Sequence, residues 1–559
     1  MDPGDPRLTL PGFLREIAER HGPREAIASR ERRMTYAEVE REARALAKGL
    51  IGAGVVKGAR VALWMANRPE WVVALFAVGL TGGVLVPVNT FATRRERDHV
   101  LRHGDASVLL MQPGLLRHRY LDDLCADHPE IEAGRAGRLR VEALPQLRRV
   151  VCLGLEDARG GVETWEDLLA QGASVSDALL DAVAADVTPS DDGLVIYTSG
   201  TTAEPKGVVH RQRAPVLQAW RYLDFLRFTP EDRVYTTYPF FWTAGIAMSI
   251  GGTFAAGGTL LTEEHFDAGS ALEMIERERA TAVHAWPHQQ KAMGEHPSAA
   301  TRDLRSVRKV DFAGPIAKLA GLREDLYGVG ASYGLSETFT IASALWADAP
   351  AAERRASNGR ALPGMEIRIG DPITGARCAT GAPGEIAVRG ATLMRGYHKV
   401  PPEQVFDAEG WFRTQDGGHL DADGCLHWSG RLSNLIKTGG ANVSPVEIQE
   451  LLEGHPQLRL GIPVGAPHPT LGEALVLCAV PVEGESPKEE EIRAWLAQRL
   501  AAYKVPRRVL FFRPAELAYT ANQKVQEGPL RAAALARLCA EGAVIDGYRY
   551  AQEPSEEEA

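Results

Sequence analysis

The 559-residue chain has few cysteines, no hydrophobic run suited to a bilayer and no surplus of basic charge. Each shortage excludes something. Its six cysteines, Cys125, Cys152, Cys378, Cys425, Cys478 and Cys539, are scattered and include no CxxC pair. That spacing excludes a zinc-ligand set, and scattered thiols read as buried apolar groups in a reducing compartment. The longest apolar stretch, Val72 to Val88, is interrupted by Gly79, Thr81, Gly82, Gly83 and Pro87. It is too short and broken to span a membrane comfortably, and reads as a buried helix entering a strand. The opening MDPGDPRLTLPGF lacks a basic segment followed by an apolar run and a cleavage site, so the expected location is the cytoplasm. With 63 Lys+Arg against 73 Asp+Glu, the net charge of −10 offers no global field for nucleic acid, though it permits a local basic groove.

What remains is an ordinary globular composition, 45% hydrophobic and 24% charged, on a chain too long for a single core. Helical and strand-like patterns alternate through the first 190 or so residues. A helix is expected over Met34–Ile51, closed by Gly52 and Gly54, then a strand over Arg60–Trp64 and a helix over Pro69–Leu80. Val108–Met111 and Val150–Leu153 read as buried parallel strands. From about 360 to 430 the texture changes to Gly-punctuated strands, MEIRIG, GEIAVRG and GCLHWSG. A compact unit follows, with helical Gln449–Leu452 and Glu489–Ala501 and an apolar strand at Ala474–Val482. The expected fold class is α/β: a large N-terminal region of several subdomains with βαβ layers and a β-rich part, plus a small α+β C-terminal domain. The boundary is placed at 430/431, giving residues 1–430 and 431–559.

The most unusual local sequence is GLVIYTSGTTAEPKGVVH, Gly193–His210. A strand-like run delivers Thr198, Ser199, Gly200, Thr201 and Thr202, then Lys206 and Gly207. Hydroxyls and exposed amides make a donor cradle for phosphate oxygens, and the lysine adds a cation. The order does not fit GxxxxGK[ST], so it is not a P-loop.

Tyr197–Gly207 resembles the YTSGTTxxPKG signature of the adenylate-forming superfamily, which includes acyl- and aryl-CoA ligases, peptide-synthetase adenylation domains and firefly luciferase. Further matches follow in the family's order: YGLSE (333–337), GEIAVRG (384–390), GWFRTQD (410–416), GR (430–431), IKTGGANVSPVEI (436–448), YKVP (503–506) and TANQK (520–524). The resemblance implies a multidomain ligase with a mobile C-terminal domain, using ATP, Mg²⁺ and CoA. Thr198, Ser199, Gly200, Thr201, Thr202, Lys206, Gly314, Tyr333, Gly334, Ser336, Asp416 and Arg431 would then bind ATP. In the family the tyrosine of YGLSE stacks on adenine, and Glu337 would hold the ATP-bound metal. Asp416 would accept from ribose hydroxyls, with Arg431 beside it. Lys524 would neutralise charge as the acid attacks the α-phosphate, joined by Lys206 and Glu337 as catalytic residues. Alone, a lysine so near the C-terminus reads as solvated; its TANxK context reverses that. Lys437, Gly439, Gly440 and Lys504 would meet CoA after the C-terminal domain turns about a hinge at Arg431 and Ser433.

The chain also departs from the family. PFFWTAG places Trp242 where a histidine is frequent, gating or shortening the acyl pocket, whose walls would include Trp242, Thr243, Gly245, Ala313 and Gly314. Gln212 stands at a second common histidine position, and His210, two places early, does not inherit that role. Ser433 replaces a charged hinge residue, while Gln415 and Gln523 replace glycines. If either backbone needs φ > 0, the substitution costs on the order of 1 kcal/mol. The reading favoured is a carboxylate–CoA ligase for an apolar fatty or aromatic acid, because the expected pocket walls carry no charge. Its alternatives are an acyl-AMP ligase loading the phosphopantetheine of a carrier protein, and a non-catalytic nucleotide-binding regulator. The partners expected are a small carboxylic acid, ATP and CoA, with no nucleic acid and no membrane span.

Overall fold

In the computed structural model the residues described are 4–198, 205–328, 332–432, 436–438, 441–500, 502–519 and 525–551. They divide into two compact units. The first holds 1–368, 387–413 and 421–427; the second holds 369–386, 414–420 and 428–559. The strands Met365–Gly370, Gly384–Gly390, Phe412–Leu420 and Leu426–Arg431 each contribute residues to both.

The first unit carries an eight-stranded sheet in which Val84–Pro87, Arg60–Trp64, Val108–Met111 and Arg149–Cys152 run parallel to one another and to the edge strand Val162–Thr164. Asp192–Thr198, Lys206–Arg211 and Gly396–Tyr397 complete one edge. The central strands are fully apolar, as strands covered on both faces must be. A five-stranded sheet with parallel Arg233–Thr236, Thr259–Thr262 and Ala282–His284 has its own core, including Leu261, Leu272, Ile275 and Ile316. Helix Pro69–Leu80 is buried and apolar all round from Trp71 onward, with proline opening its first turn.

Two expectations need correction. Met34 lies in strand Arg33–Thr35 and pairs with Ile27; the helix runs Tyr36–Gly52. Thr35 sets that start, because its Oγ1 accepts from Glu38 N at 3.2 Å while Glu38 Oε2 accepts from Thr35 N at 2.8 Å. Gly396–Tyr397, inside the stretch read as a separate β-rich part, is an edge strand of the eight-stranded sheet. Smaller shifts affect Arg149–Cys152 and helix Glu489–Ala497, which stops four residues short of Ala501.

In the second unit, strands Leu458–His468 and Gly472–Pro481 form a long antiparallel hairpin. Successive residues face opposite sides. Val476, Cys478 and Val480 meet Leu530, Ala534 and Leu538 of helix Glu527–Ala540, while Leu475, Leu477 and Ala479 share the other core with Ile448, Leu452, Ile492 and Leu496. All six cysteines are free, and burial pushes the Cys152 and Cys478 thiols up to about 12, leaving both inert as nucleophiles near neutrality. Among the described residues no single helix is long and apolar enough to cross a membrane.

Candidate active site

Strand Asp192–Thr198 runs antiparallel to Lys206–Arg211, with Tyr197 opposite Gly207 and Thr198 opposite Lys206. The two strands that flank the hydroxyl-rich segment in sequence are therefore an antiparallel pair. Ser199, Gly200, Thr201 and Thr202 lie outside the described residues. Both flanks of that segment are gripped by histidines one turn apart on helix Arg94–His103. His99 Nε2 is 3.0 Å from the Pro205 carbonyl oxygen, and His103 Nδ1 is 2.7 Å from the Tyr197 hydroxyl. Burial, reinforced by neighbouring His398 and His99, pushes His103 down to about 4, so it is neutral near pH 7. Sequence reading missed this pair; two histidines four apart on one helix face were the available signal.

Lys206 and Glu337 are linked by a residue the motifs did not nominate. Edge strand Gly396–Tyr397 pairs with the lysine's own strand, Tyr397 opposite Val208, and His398 N donates to Gly207 O at 2.7 Å. Lys206 Nζ lies 5.3 Å from the centroid of the Tyr397 ring, within cation–π range. The Tyr397 hydroxyl donates to Glu337 Oε1 at 2.7 Å. The cation, phenol and carboxylate thus form one row. Only a long-range strand pairing brings Tyr397 there, so local spacing could not have found it.

The YGLSE segment is a strained turn. Tyr333 is buried in a short strand opposite Ser343. A Cβ on Gly334 would stand 1.8 Å from the Thr340 carbonyl oxygen, so only glycine fits. Ser336 and Glu337 open a short 3₁₀ turn that runs into Phe339 at φ 51° and Thr340 at φ 96°. Non-glycine residues adopt such angles only when their surroundings enforce them. Here Gln218 Nε2 donates toward the carbonyl oxygens of Thr338, Phe339 and Ile341 at 3.1, 3.0 and 2.7 Å. Arg221 Nη1 supports Gln218 Oε1 at 3.3 Å. His210, held neutral by burial that lowers it to about 3, donates Nε2–H to the Ser336 carbonyl at 2.8 Å. Gln212 is also buried, accepting from Leu10 N at 3.0 Å, which ties the first helix to the domain.

Trp242 is half-buried in an aromatic row: Phe241 lies 5.1 Å away and Trp286 6.5 Å away, with Tyr238 4.5 Å beyond Trp286. Thr243 is buried, and Gly245 begins a wholly buried π-helix, Gly245–Gly251, a backbone irregularity frequent at binding sites. Ala313 is exposed at the loop Asp311–Gly314. A Cβ on Gly314 would lie 2.4 Å from Gln290 Oε1, so the loop passes close to that buried amide.

In the second unit, Asp416 is buried and its Oδ1 lies 3.0 Å from Arg431 Nε. Arg431 Nη1 also donates to the Thr414 carbonyl at 3.0 Å. The preceding Gln415 has φ 61°, the left-handed conformation for which glycine is suited. Its N–H donates to Glu385 Oε1 at 2.9 Å, and Asp416 N to Thr414 Oγ1 at 3.1 Å. Lys437 is exposed on strand Ile436–Thr438, whereas Lys504 Nζ is clamped by both oxygens of Glu447 at 2.7 Å. Ser433, Gly439, Gly440, Gln523 and Lys524 lie outside the described residues.

Comparison with known proteins places this geometry. Residues 14–398 match the AMP-binding enzyme family, and residues 447–524 match the AMP-binding enzyme C-terminal domain. An indoleacetate–CoA ligase of Aromatoleum aromaticum (strain DSM 19018 / LMG 30748 / EbN1) is 32% identical over 93% of this chain and 97% of its own. A feruloyl-CoA synthase of an Amycolatopsis species is 32% identical over 89% of this chain and 93% of its own. The crystal structure of ATP-bound MatB from Rhodopseudomonas palustris, 25% identical, superposes with a TM-score of 0.76 over 94% of this chain and 99% of its own. On the strength of both domain matches and these full-length relatives, the chain belongs to the AMP-binding enzyme family, in its acyl- and aryl-CoA ligase branch.

Proposed function

We propose that the chain is an ATP-dependent carboxylate–CoA ligase for an acid with an apolar aryl or aliphatic body. The observation that carries this is the row Lys206–Tyr397–Glu337 beside the hydroxyl-rich segment, a cation and a carboxylate fixed at one place by a phenol. In the first half-reaction a carboxylate oxygen attacks the α-phosphorus of ATP, the bond to the β-phosphate oxygen breaks, and pyrophosphate leaves. Lys206 attracts the phosphate oxygens, and Lys524, from the C-terminal domain, neutralises charge as the two anions meet. In the second, the CoA thiolate attacks the acyl carbon and AMP departs. Asp416 and Arg431 contact the ribose, Tyr333 lies against adenine, and Lys437, Gly439, Gly440 and Lys504 face CoA.

Magnesium belongs to this reading. Among the described residues no group of three or more His, Cys, Asp or Glu side chains is placed to hold a metal. Glu337 fits a hard cation that draws its other oxygens from triphosphate and water. When bound, the ion supplies neutralisation of the triphosphate charge.

We also place the domain boundary at 430/431, with Arg431 and Ser433 as the hinge, and the enzyme in the cytoplasm, in keeping with six free thiols. The aromatic row at Trp242 and the names of the two CoA-ligase relatives support an aryl acid over a dicarboxylate. A panel of aromatic and fatty acids assayed for AMP formation tests the proposal. AMP release that requires acid, ATP and CoA together is the expected result. ATP binding with no pyrophosphate from any acid would contradict it.

A further inference from the structure

Helix Arg94–His103, which carries the histidine pair, ends on a residue that its own local chemistry disfavours. Ala106 N donates to Leu101 O at 3.1 Å and Asp105 N to Arg102 O at 3.3 Å, a paired closure whose outer residue turns left-handed. That residue is Asp105, at φ 52°, where glycine is the usual occupant. A carboxylate there also faces the negative end of the helix dipole. A residue kept against such local costs marks a demand made by something other than its own turn.

The Asp105 side chain bonds far along the chain. His398 Nε2 lies 3.2 Å from Asp105 Oδ2, and Lys399 Nζ donates to Oδ1 at 2.9 Å. Lys399 is itself left-handed, at φ 60°. Two residues in the conformation that glycine prefers are thus joined side chain to side chain. Burial works against the Asp105 charge, yet Lys399 and His398 outweigh it and hold the carboxyl below its ordinary value. An ionised carboxylate only accepts, so His398 donates its Nε2–H. Lys399 is exposed and its ion pair alone would count for little, whereas His398 is buried. These two residues directly follow Tyr397. His398 N donates to Gly207 O at 2.7 Å, and a Cβ on Gly207 would stand 3.3 Å from the His398 Cβ, so His398 lies against the strand that begins with Lys206. Asp105 therefore holds, from the helix side, the segment that carries the Tyr397 phenol between Lys206 and Glu337.

We infer that Asp105 is a positioning residue of the proposed nucleotide site: its carboxylate anchors His398 and Lys399, and through them fixes Tyr397 in the row Lys206–Tyr397–Glu337. The inference rests on the ligase reading above and adds to it an anchor that acts at one remove from the substrate. Lys206 and Glu337 are the groups assigned to the triphosphate and its metal, so loosening the anchor weakens ATP and leaves the acid alone.

The test compares Asp105→Gly and Asp105→Asn with the wild type as full-length enzymes. Glycine suits the left-handed angle, so the thermal midpoint of Asp105→Gly should stay close to that of the wild type, relief of strain offsetting the lost bonds. KM for ATP should nevertheless rise about 5- to 30-fold while KM for the acid stays within about twofold. Asparagine also tolerates the angle and keeps one acceptor, so Asp105→Asn should recover part of the loss. In Tyr397→Phe, where the phenol is already gone, adding Asp105→Gly should raise KM for ATP by no more than about threefold further, because residues acting through one another do not add. An unchanged KM for ATP in Asp105→Gly overturns the inference, and so does a rise that multiplies in full on Tyr397→Phe. A loss shared by both substrates with a lowered midpoint also overturns it, since a purely structural role gives that pattern. If Asp105→Gly does not fold, the same shifts in smaller size are read in Asp105→Asn. If the wild type forms AMP from no acid, the ligase reading fails, and the inference is read from calorimetric binding of ATP with Mg²⁺. There Asp105→Gly should bind about 5- to 30-fold more weakly, and equal affinity overturns it.

Discussion

Gln415 shows how a single residue can be unfavourable for its own backbone and still be retained. At φ 61° it sits where a side chain costs on the order of 1 kcal/mol, and its amide to Glu385 helps hold that angle beside Asp416. Gln415→Val, with β-branching added, should lower stability by about 1–2 kcal/mol, measured by denaturation of the full chain. Gln415→Gly should leave it within about 1 kcal/mol of wild type. Equal stability for valine and glutamine would mean that the left-handed angle is not held in solution. Tyr397 makes a functional prediction at the same scale. Tyr397→Phe keeps the ring under Lys206 but leaves Glu337 Oε1 without its phenol donor. Loss of one such bond should cut kcat/KM for ATP about 5- to 30-fold, with little change in thermal midpoint. No kinetic change would separate this row from catalysis.

At the scale of elements, buried neutral histidines brace the two segments proposed to face ATP. His103 holds strand Asp192–Thr198 through Tyr197, and His210 holds the Ser336 turn. Both, with His284, are pushed below the ordinary imidazole value of 6.5 by burial. The unfolded chain therefore takes up protons that the folded chain refuses as pH falls below about 6.5. Stability should be complete above that value and decline toward pH 5.5, a window above the ordinary carboxylate range. A urea midpoint lower at pH 5.5 than at 7.0 is expected, with a smaller difference in His210→Gln; a midpoint that rises on acidification would contradict it.

These elements also show what was legible in advance. Pro69–Leu80 and Arg60–Trp64 could be read to the residue because proline, glycine and uniform apolarity mark their ends. The YTSGTT and YGLSE segments could be found because their chemistry is contiguous in sequence. Tyr397 and His210 could not, since each acts through a partner brought near only by tertiary pairing, Glu337 and Ser336; His103 offered only its spacing from His99 and not its partner Tyr197. The start of helix Tyr36–Gly52 was misplaced because hydrophobic periodicity continues through Met34, while the capping box at Thr35 decides the boundary.

At the scale of the whole molecule, the residues proposed for one reaction are distributed over two compact units. Lys206, Glu337 and Tyr333 belong to the first, whereas Asp416, Arg431, Lys437 and Lys504 belong to the second. A ligase that makes an acyl-adenylate and then a thioester needs different groups at the acyl carbon in turn, and under the proposed hinge a C-terminal domain that exchanges faces would supply them. The net charge of −10 does not oppose two anionic co-substrates, because recognition needs only local cations, the role proposed for Lys206 and Arg431. The division of labour is tested most directly by measuring both half-reactions in Lys524→Ala. Single-turnover pyrophosphate formation should fall by at least about 100-fold, while acyl-CoA formation from supplied acyl-AMP stays within about threefold of wild type. An equal loss in both half-reactions would contradict it.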